Sequence, residues 1–99
     1  MTRKISFEKE KELILLGKAL SSEIRIQILK LLDERPYCVN EIAELLQIPA
    51  SSAALNVRVL EEAQLIRTEL KPGVRGSMKQ CIRQEDEILL LLKENKEKK

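Results

Sequence analysis

The sequence predicts a mainly α-helical domain that carries one small β-hairpin. Apolar residues recur at helical spacing up to Leu65, and the spacing then changes to alternation. Only Phe7 and Tyr37 are aromatic, so the core must be built from aliphatic side chains, as is typical of packed helices. A length of 99 residues fits one domain, which we assign to residues 1–99.

The first two predicted helices are amphipathic. The first spans Ser6–Leu20, with apolar residues on one side and alternating Glu and Lys on the other. The second is expected to begin at Ser21 or Ser22, because a serine hydroxyl can cap the free backbone amides of a helix start. It runs to Asp33, and Pro36 ends it.

A tight turn separates two further helices, and this helix-turn-helix unit covers about residues 40–63. The third helix is short, with Asn40 as its expected N-cap. The fourth spans Ala50–Ala63. Its core face is marked by apolar residues at i, i+4 and i+7, namely Ala53, Val57 and Leu60.

Residues 65–83 are predicted to form the hairpin, which we call the wing. Apolar and polar residues alternate from Ile66 to Lys71, and a second alternating run ends at Arg83. The turn Pro72–Gly76 between them contains two glycines. Three acidic residues follow Gln84, and acidic residues favour a helix start, so a C-terminal helix is expected over residues 84–97.

This order of elements is typical of a winged helix-turn-helix, in which the second helix of the unit enters the major groove of DNA. The charge distribution agrees with such a partner. Residues 65–83 contain five basic residues and one acidic residue, a net charge of +4 in a chain whose total is +2. A local basic segment suits contact with phosphates, and a solvated loop with scattered charge is the alternative.

The side of the fourth helix opposite the core carries the candidate DNA contacts. They are Ser51, Leu55 and Arg58, flanked by Ser52 and Asn56. Serine hydroxyls and free amides at a helix start bind phosphate, and an exposed leucine can meet a thymine methyl group. Three alternatives stay open: the serines could be N-caps, Leu55 could pack on a neighbouring element, and Arg58 could pair with Glu61 or Glu62.

The wing adds three candidate DNA contacts. Gly73 and Gly76 permit a turn that brings Arg75 to the tip, where a lone arginine can enter a minor groove or contact a phosphate. Lys71 and Lys79 would support Arg75 electrostatically.

The segments Leu20–Leu32 and Val39–Ile66 resemble the arsenic-repressor (ArsR) family of winged-helix regulators. The resemblance covers residues 13–83, and the stretch V-L-E-E-A-Q-L-I before the wing is its most specific part. It implies a homodimer that is joined by N- and C-terminal dimerisation helices and controls promoters. Double-stranded DNA and a second copy of the chain are therefore the expected partners.

The sequence also departs from this family. Its metal sensors carry a Cys-Val-Cys-type motif where this chain reads Cys38-Val39-Asn40, and the chain has no histidine. Soft metals need several thiolate or imidazole ligands, so no metal site and no cofactor is expected. Ala54, Leu55 and Asn56 lie where many members have Ser, a basic residue and His. We count Ala54 among the DNA-facing positions, but base preference does not carry over.

Five consecutive apolar residues, Ile88–Leu92, wrap a full helical turn, so one face is left for a partner after the domain's own core is covered. This pattern also predicts a homodimer. The residues expected at its interface are Leu13, Leu16, Ile88, Leu89, Leu91 and Leu92.

These patterns together predict a sequence-specific regulator of transcription, expected to be a repressor and cytoplasmic. No signal-peptide pattern and no membrane-length apolar run is present. An enzyme is not expected, because histidine, a glycine-rich phosphate loop and an activated nucleophile are all missing from the sequence. Two alternatives remain: a winged helix that mediates protein contacts, and the N-terminal DNA-binding module of a longer ligand-responsive regulator.

Overall fold

The computed structural model describes residues 4–73, 76–84 and 86–92. Its helices are α1 (Glu10–Leu20), α2 (Glu23–Leu31), α3 (Val39–Leu46) and α4 (Ala50–Glu62). Its strands are β1 (Lys4–Phe7), β2 (Tyr37–Cys38), β3 (Ile66–Gly73), β4 (Gly76–Arg83) and β5 (Glu87–Leu90). The helix-turn-helix followed by a hairpin confirms the predicted fold class.

The helix starts follow from local hydrogen bonds. Ser22 caps α2 as predicted, because its hydroxyl accepts the Arg25 backbone amide at 3.3 Å. The N-cap of α3 is Cys38 and not Asn40, which corrects the prediction. The reason is Glu41, whose carboxylate accepts the Cys38 backbone amide at 2.8 Å and so fixes the helix start two residues earlier.

The core lies where the helices meet the wing. The predicted inner face of α4 is confirmed, because Ala53, Val57 and Leu60 are at most 1% exposed. Aliphatic side chains from α2 and α3, including the fully buried Ile28 and Ile42, pack in the same cluster. This packing fixes the rotation of α4 about its axis and leaves its opposite face to the outside.

The wing belongs to a three-stranded antiparallel sheet with the order β2-β4-β3. Residues pair from Ile66 with Arg83 to Gly73 with Gly76. Only residues 74 and 75 therefore lie between the strands, and the turn is shorter than the predicted five residues of Pro72–Gly76. Pairing continues through Pro72. A proline is tolerated in an edge strand, because its missing N–H can face away from the neighbouring strand.

The two ends of the chain differ from the prediction. Residues 4–7 and 87–90 form a two-stranded parallel sheet, with Lys4 opposite Glu87 and Phe7 opposite Leu90. The first helix consequently begins at Glu10 and not at Ser6, and a strand replaces the predicted helix over 87–90. A continuous apolar run has no period that distinguishes a helix from a strand. Pairing with the distant β1 therefore determines that residues 87–90 form a strand. Residues 93–97 of that predicted helix lie outside the described residues.

Candidate nucleic-acid interface

The outer face of α4 is the first part of the candidate interface. Ser51, Ala54, Leu55 and Arg58 are exposed, as the helical period predicts, and Ser52 is half-buried. The N-cap of α4 is Pro49, so neither serine serves as the cap. Both serines lie in the first helical turn, where backbone amides have no partner within the helix. The start of α4 can therefore offer amides and hydroxyls to an anion.

Leu55 and Arg58 have no competing role among the described residues. Leu55 is 59% exposed, so it does not pack into a neighbouring element. The Arg58 side chain makes no ion pair or hydrogen bond within the part of the chain that the structure describes. Of its two candidate partners, Glu61 contacts the wing instead. Arg58 is accordingly a cation available to an external group.

Asn56 differs from the other candidates on α4. It is half-buried, and its Oδ1 accepts a hydrogen bond from Arg25 Nη1 at 2.8 Å. Its Nδ2 donates to the Ser52 carbonyl at 2.9 Å. Both polar groups of the carboxamide therefore form hydrogen bonds within the protein. The helical period gives no information about such contacts.

The wing places its candidate residues on different faces. Paired residues share a face of a sheet, so Lys79, opposite Leu70, lies on the same face as Thr68 and Cys81. Thr68 contacts α4, and Lys79 Nζ lies 4.0 Å from Glu61 Oε1 on that helix. Lys71 is exposed on the other face. Arg75 lies outside the described residues.

Ion pairs reduce the basic charge that the sequence suggests for the wing. Arg67 Nε lies 3.1 Å from a carboxylate oxygen of Glu69. Arg83 Nη2 is 2.6 Å from Asp33 Oδ1 and 3.2 Å from Asp86 Oδ1. These two arginines are paired within the protein, and Lys79 is partly paired with Glu61 at 4.0 Å. Lys71 makes no ion pair among the described residues and is the wing cation best placed for an outside partner.

The terminal elements carry an apolar surface. Ile88, Leu89 and Leu92 are 38%, 49% and 84% exposed, whereas Leu13 and Leu91 are half-buried. Leu16 is only 2% exposed and belongs to the core of the single chain, so the structure corrects its assignment to a dimer interface. Sequence reasoning missed two exposed residues of the same elements, Ile14 and Leu90.

The two cysteines are closer than the sequence suggests, because β2 pairs with β4. Cys81 lies opposite Tyr37 on the buried face, and burial raises the pKa of its thiol to about 11. Cys38 lies opposite Gln80 and is half-buried. Within the described ranges, no three His, Cys, Asp or Glu side chains converge as a metal site would require. The helices in those ranges are also too short or too polar to cross a bilayer.

Comparisons with known proteins agree with this geometry. The model of the arsR family of bacterial regulatory proteins matches residues 22–68. The uncharacterized HTH-type transcriptional regulator MJ0229 of Methanocaldococcus jannaschii is 32% identical over 59 residues, 60% of this chain and 62% of that protein. The match thus spans less than two thirds of the relative's length.

Solved structures show the same fold. The homodimeric winged helix-turn-helix DNA-binding domain Mb0332 of Mycobacterium bovis aligns with a TM-score of 0.65 at 25% identity, over 74% of this chain and 64% of that chain. HlyU of Vibrio cholerae aligns with a TM-score of 0.62 at 21% identity, over 76% of this chain and 77% of that chain.

Proposed function

We propose that this chain, which matches the model of the arsR family of bacterial regulatory proteins over residues 22–68, binds double-stranded DNA and regulates transcription as a repressor. In this proposal α4 is the recognition helix and lies in the major groove. The observation that carries the proposal is the outer face of α4. It exposes Leu55 and Arg58, and the Arg58 side chain makes no ion pair or hydrogen bond among the described residues.

The recognition helix has the chemistry that this role needs. Ser51 and Ser52 lie at the positive end of the helix dipole, where a phosphate is favoured. Leu55 and the small Ala54 can approach a thymine methyl group, and Arg58 can contact a phosphate or a guanine. Sequence preference would then depend on Leu55 more than on the serines.

The wing contributes affinity in this proposal. Lys71 and Lys79 are exposed cations, and Arg75 stands between the two wing strands in the sequence. Contacts of such residues with the DNA backbone do not depend on sequence and weaken with salt. The wing would lie on the flanking backbone or in the adjacent minor groove.

We also propose that the active species is a homodimer. The exposed apolar residues Ile88, Leu89 and Leu92 would be covered by a second copy, together with the half-buried Leu13 and Leu91. The domain Mb0332, which this chain resembles in fold, is described as homodimeric. A two-fold dimer would read two half-sites spaced by a helical turn of DNA. Such a non-enzymatic regulator would act in the cytoplasm.

The test is selection of bound sites from a random duplex pool, followed by footprinting and a salt titration. We expect one enriched motif with two-fold symmetry and a binding constant that falls as salt rises. Arg75→Ala should weaken binding to every duplex and lower the salt slope by about 1. Arg67→Ala is the matched control, because Arg67 is already paired with Glu69. Absence of salt-dependent duplex binding would contradict the proposal and favour a winged helix that contacts proteins.

A further inference from the structure

Arg25 connects three parts of the domain. It lies in the first turn of α2, and its Nε donates to the Ala19 carbonyl at 2.9 Å. Its Nη2 donates to the Lys18 carbonyl at 2.8 Å. Both carbonyls belong to the last turn of α1, and the Lys18 carbonyl also accepts hydrogen bonds from the backbone amide and the hydroxyl of Ser21. One side of the guanidinium therefore closes the end of α1.

The other side of the guanidinium holds the recognition helix. Nη1 donates to Asn56 Oδ1, and the Asn56 Nδ2 donates in turn to the Ser52 carbonyl one helical turn earlier. The chain of contacts runs from the end of α1 through Arg25 and Asn56 to Ser52. It thus ends at the turn of α4 that precedes Leu55.

We propose that Arg25 and Asn56 are positioning residues that fix the N-terminal half of α4 relative to α1, so that Asn56 sets the affinity for the preferred duplex without contacting a base. This inference rests on the proposed DNA binding. Asn56 has both polar groups of its side chain occupied within the protein, which argues against direct base reading. The planar guanidinium has donors in a fixed fork, and here they meet acceptors on two different helices.

The geometry predicts that lysine cannot replace Arg25. A lysine keeps the positive charge, but its single ammonium group cannot reach three acceptors in these directions. A purely electrostatic contribution of Arg25 to DNA binding would therefore survive in Arg25→Lys, whereas positioning would be lost.

The experiment compares the wild type with Arg25→Lys, Arg25→Ala, Asn56→Ala and the double alanine variant. The probes are the duplex selected by the wild type from a random pool and a random duplex. The measured quantity is the ratio of the two affinities, in which uniform effects of charge cancel. We expect Arg25→Lys and Asn56→Ala each to lower this ratio about tenfold, as for one lost hydrogen bond to a charged group. The double variant should lose no more than either single variant.

Two further variants separate positioning from simple destabilisation. Asn56→Asp keeps an acceptor for Arg25, so its ratio should lie closer to that of the wild type than the ratio of Asn56→Ala. Arg35→Lys is the matched control, because Arg35 lies between α2 and α3, contacts Tyr37 and Glu41, and should leave the ratio unchanged. Urea midpoints identify the conditions in which every variant is folded.

Several outcomes would overturn the inference. They are an unchanged ratio in Arg25→Lys, losses that multiply in the double variant, or a loss in Asn56→Ala confined to one base pair, which would indicate direct reading. If the wild type bound no duplex at all, the proposed function would fail and this inference with it. Binding by the wild type without any effect of the variants would overturn the inference alone.

Discussion

Thr68 Oγ1 donates a 2.8 Å hydrogen bond to Glu61 Oε2, and this bond joins strand β3 of the wing to the end of α4. The second oxygen of the same carboxylate lies 4.0 Å from Lys79 Nζ on β4. One side chain of α4 therefore contacts both wing strands. This carboxylate is one of the contacts that hold the wing against α4.

Thr68→Val should loosen this junction. The valine has nearly the same shape but cannot donate, so we expect a loss of about 0.5–1.5 kcal/mol in the free energy of unfolding. Urea denaturation measures this loss, and Thr68→Ser, which keeps the hydroxyl, should lose less stability.

Glu61→Gln keeps an acceptor for Thr68 but removes a negative charge near Lys79, so binding to a random duplex should tighten at low salt. Weaker binding of Glu61→Gln would contradict this account.

Leu55→Ala should change which sequence is preferred without changing stability. If Leu55 meets a thymine methyl group, discrimination at that base pair falls by about 1–3 kcal/mol. A repeated selection from the random pool measures this change. The control is Leu60→Ala on the buried face of the same helix, which should cost about 2–5 kcal/mol of stability. An unchanged preference for Leu55→Ala would remove this residue from the reading face.

Leu89→Lys should disrupt the dimer. Leu89 is 49% exposed on β5, and a lysine there would place a charge in an apolar interface. Sedimentation equilibrium should show a monomer for this variant and a dimer for the wild type. Leu70→Lys is the control, because Leu70 is 74% exposed in the wing and away from β5. A wild type that stays monomeric at high micromolar concentration would argue decisively against dimerisation.

The two thiols should differ in reactivity. Burial holds the pKa of Cys81 at about 11, so at pH 8 this group is protonated and also shielded. Iodoacetamide should therefore label Cys38 first, and Cys81 only after unfolding. Mass spectrometry counts the labels, and Cys38→Ser should show no rapid labelling. Equal rates for the two cysteines in the folded protein would show that Cys81 is accessible.

DNA binding should not respond to zinc, cadmium, arsenite or chelators. A thiolate site needs three or four converging soft ligands, and each chain offers only Cys38 and the buried Cys81. A metal titration of the protein bound to its selected duplex tests this expectation. Release of DNA at near-stoichiometric metal, abolished by Cys38→Ser, would restore a metal-sensing function.

Much of the candidate interface could be predicted because it depends on local periodicity. The core face of α4 repeats every three to four residues, so Ala53 and Val57 identify the opposite, exposed face that carries Leu55. Ser22 at the start of α2 is equally local, since a cap bonds to an amide three residues away.

Other features could not be predicted because they join distant residues. Asn56 and Arg25 are 31 residues apart, and no local pattern reports that an amide on one helix meets a guanidinium on another. The same limit applies to the apolar run Ile88–Leu92, which would suit a helix or a strand until its partner is known. Arg83 counts as a wing cation in the sequence, but Asp33 and Asp86 neutralise it in the fold.

The pairing of β1 with β5 also bears on the order in which the domain assembles. Lys4 pairs with Glu87 and Phe7 with Leu90, so nearly the whole chain lies between the partners. Closing so long a loop costs entropy before any contact is gained, so this pairing is favourable only after the intervening helices have collapsed. The β1–β5 sheet should therefore form late in folding. Substitutions in this sheet should accelerate unfolding while leaving the folding rate nearly unchanged.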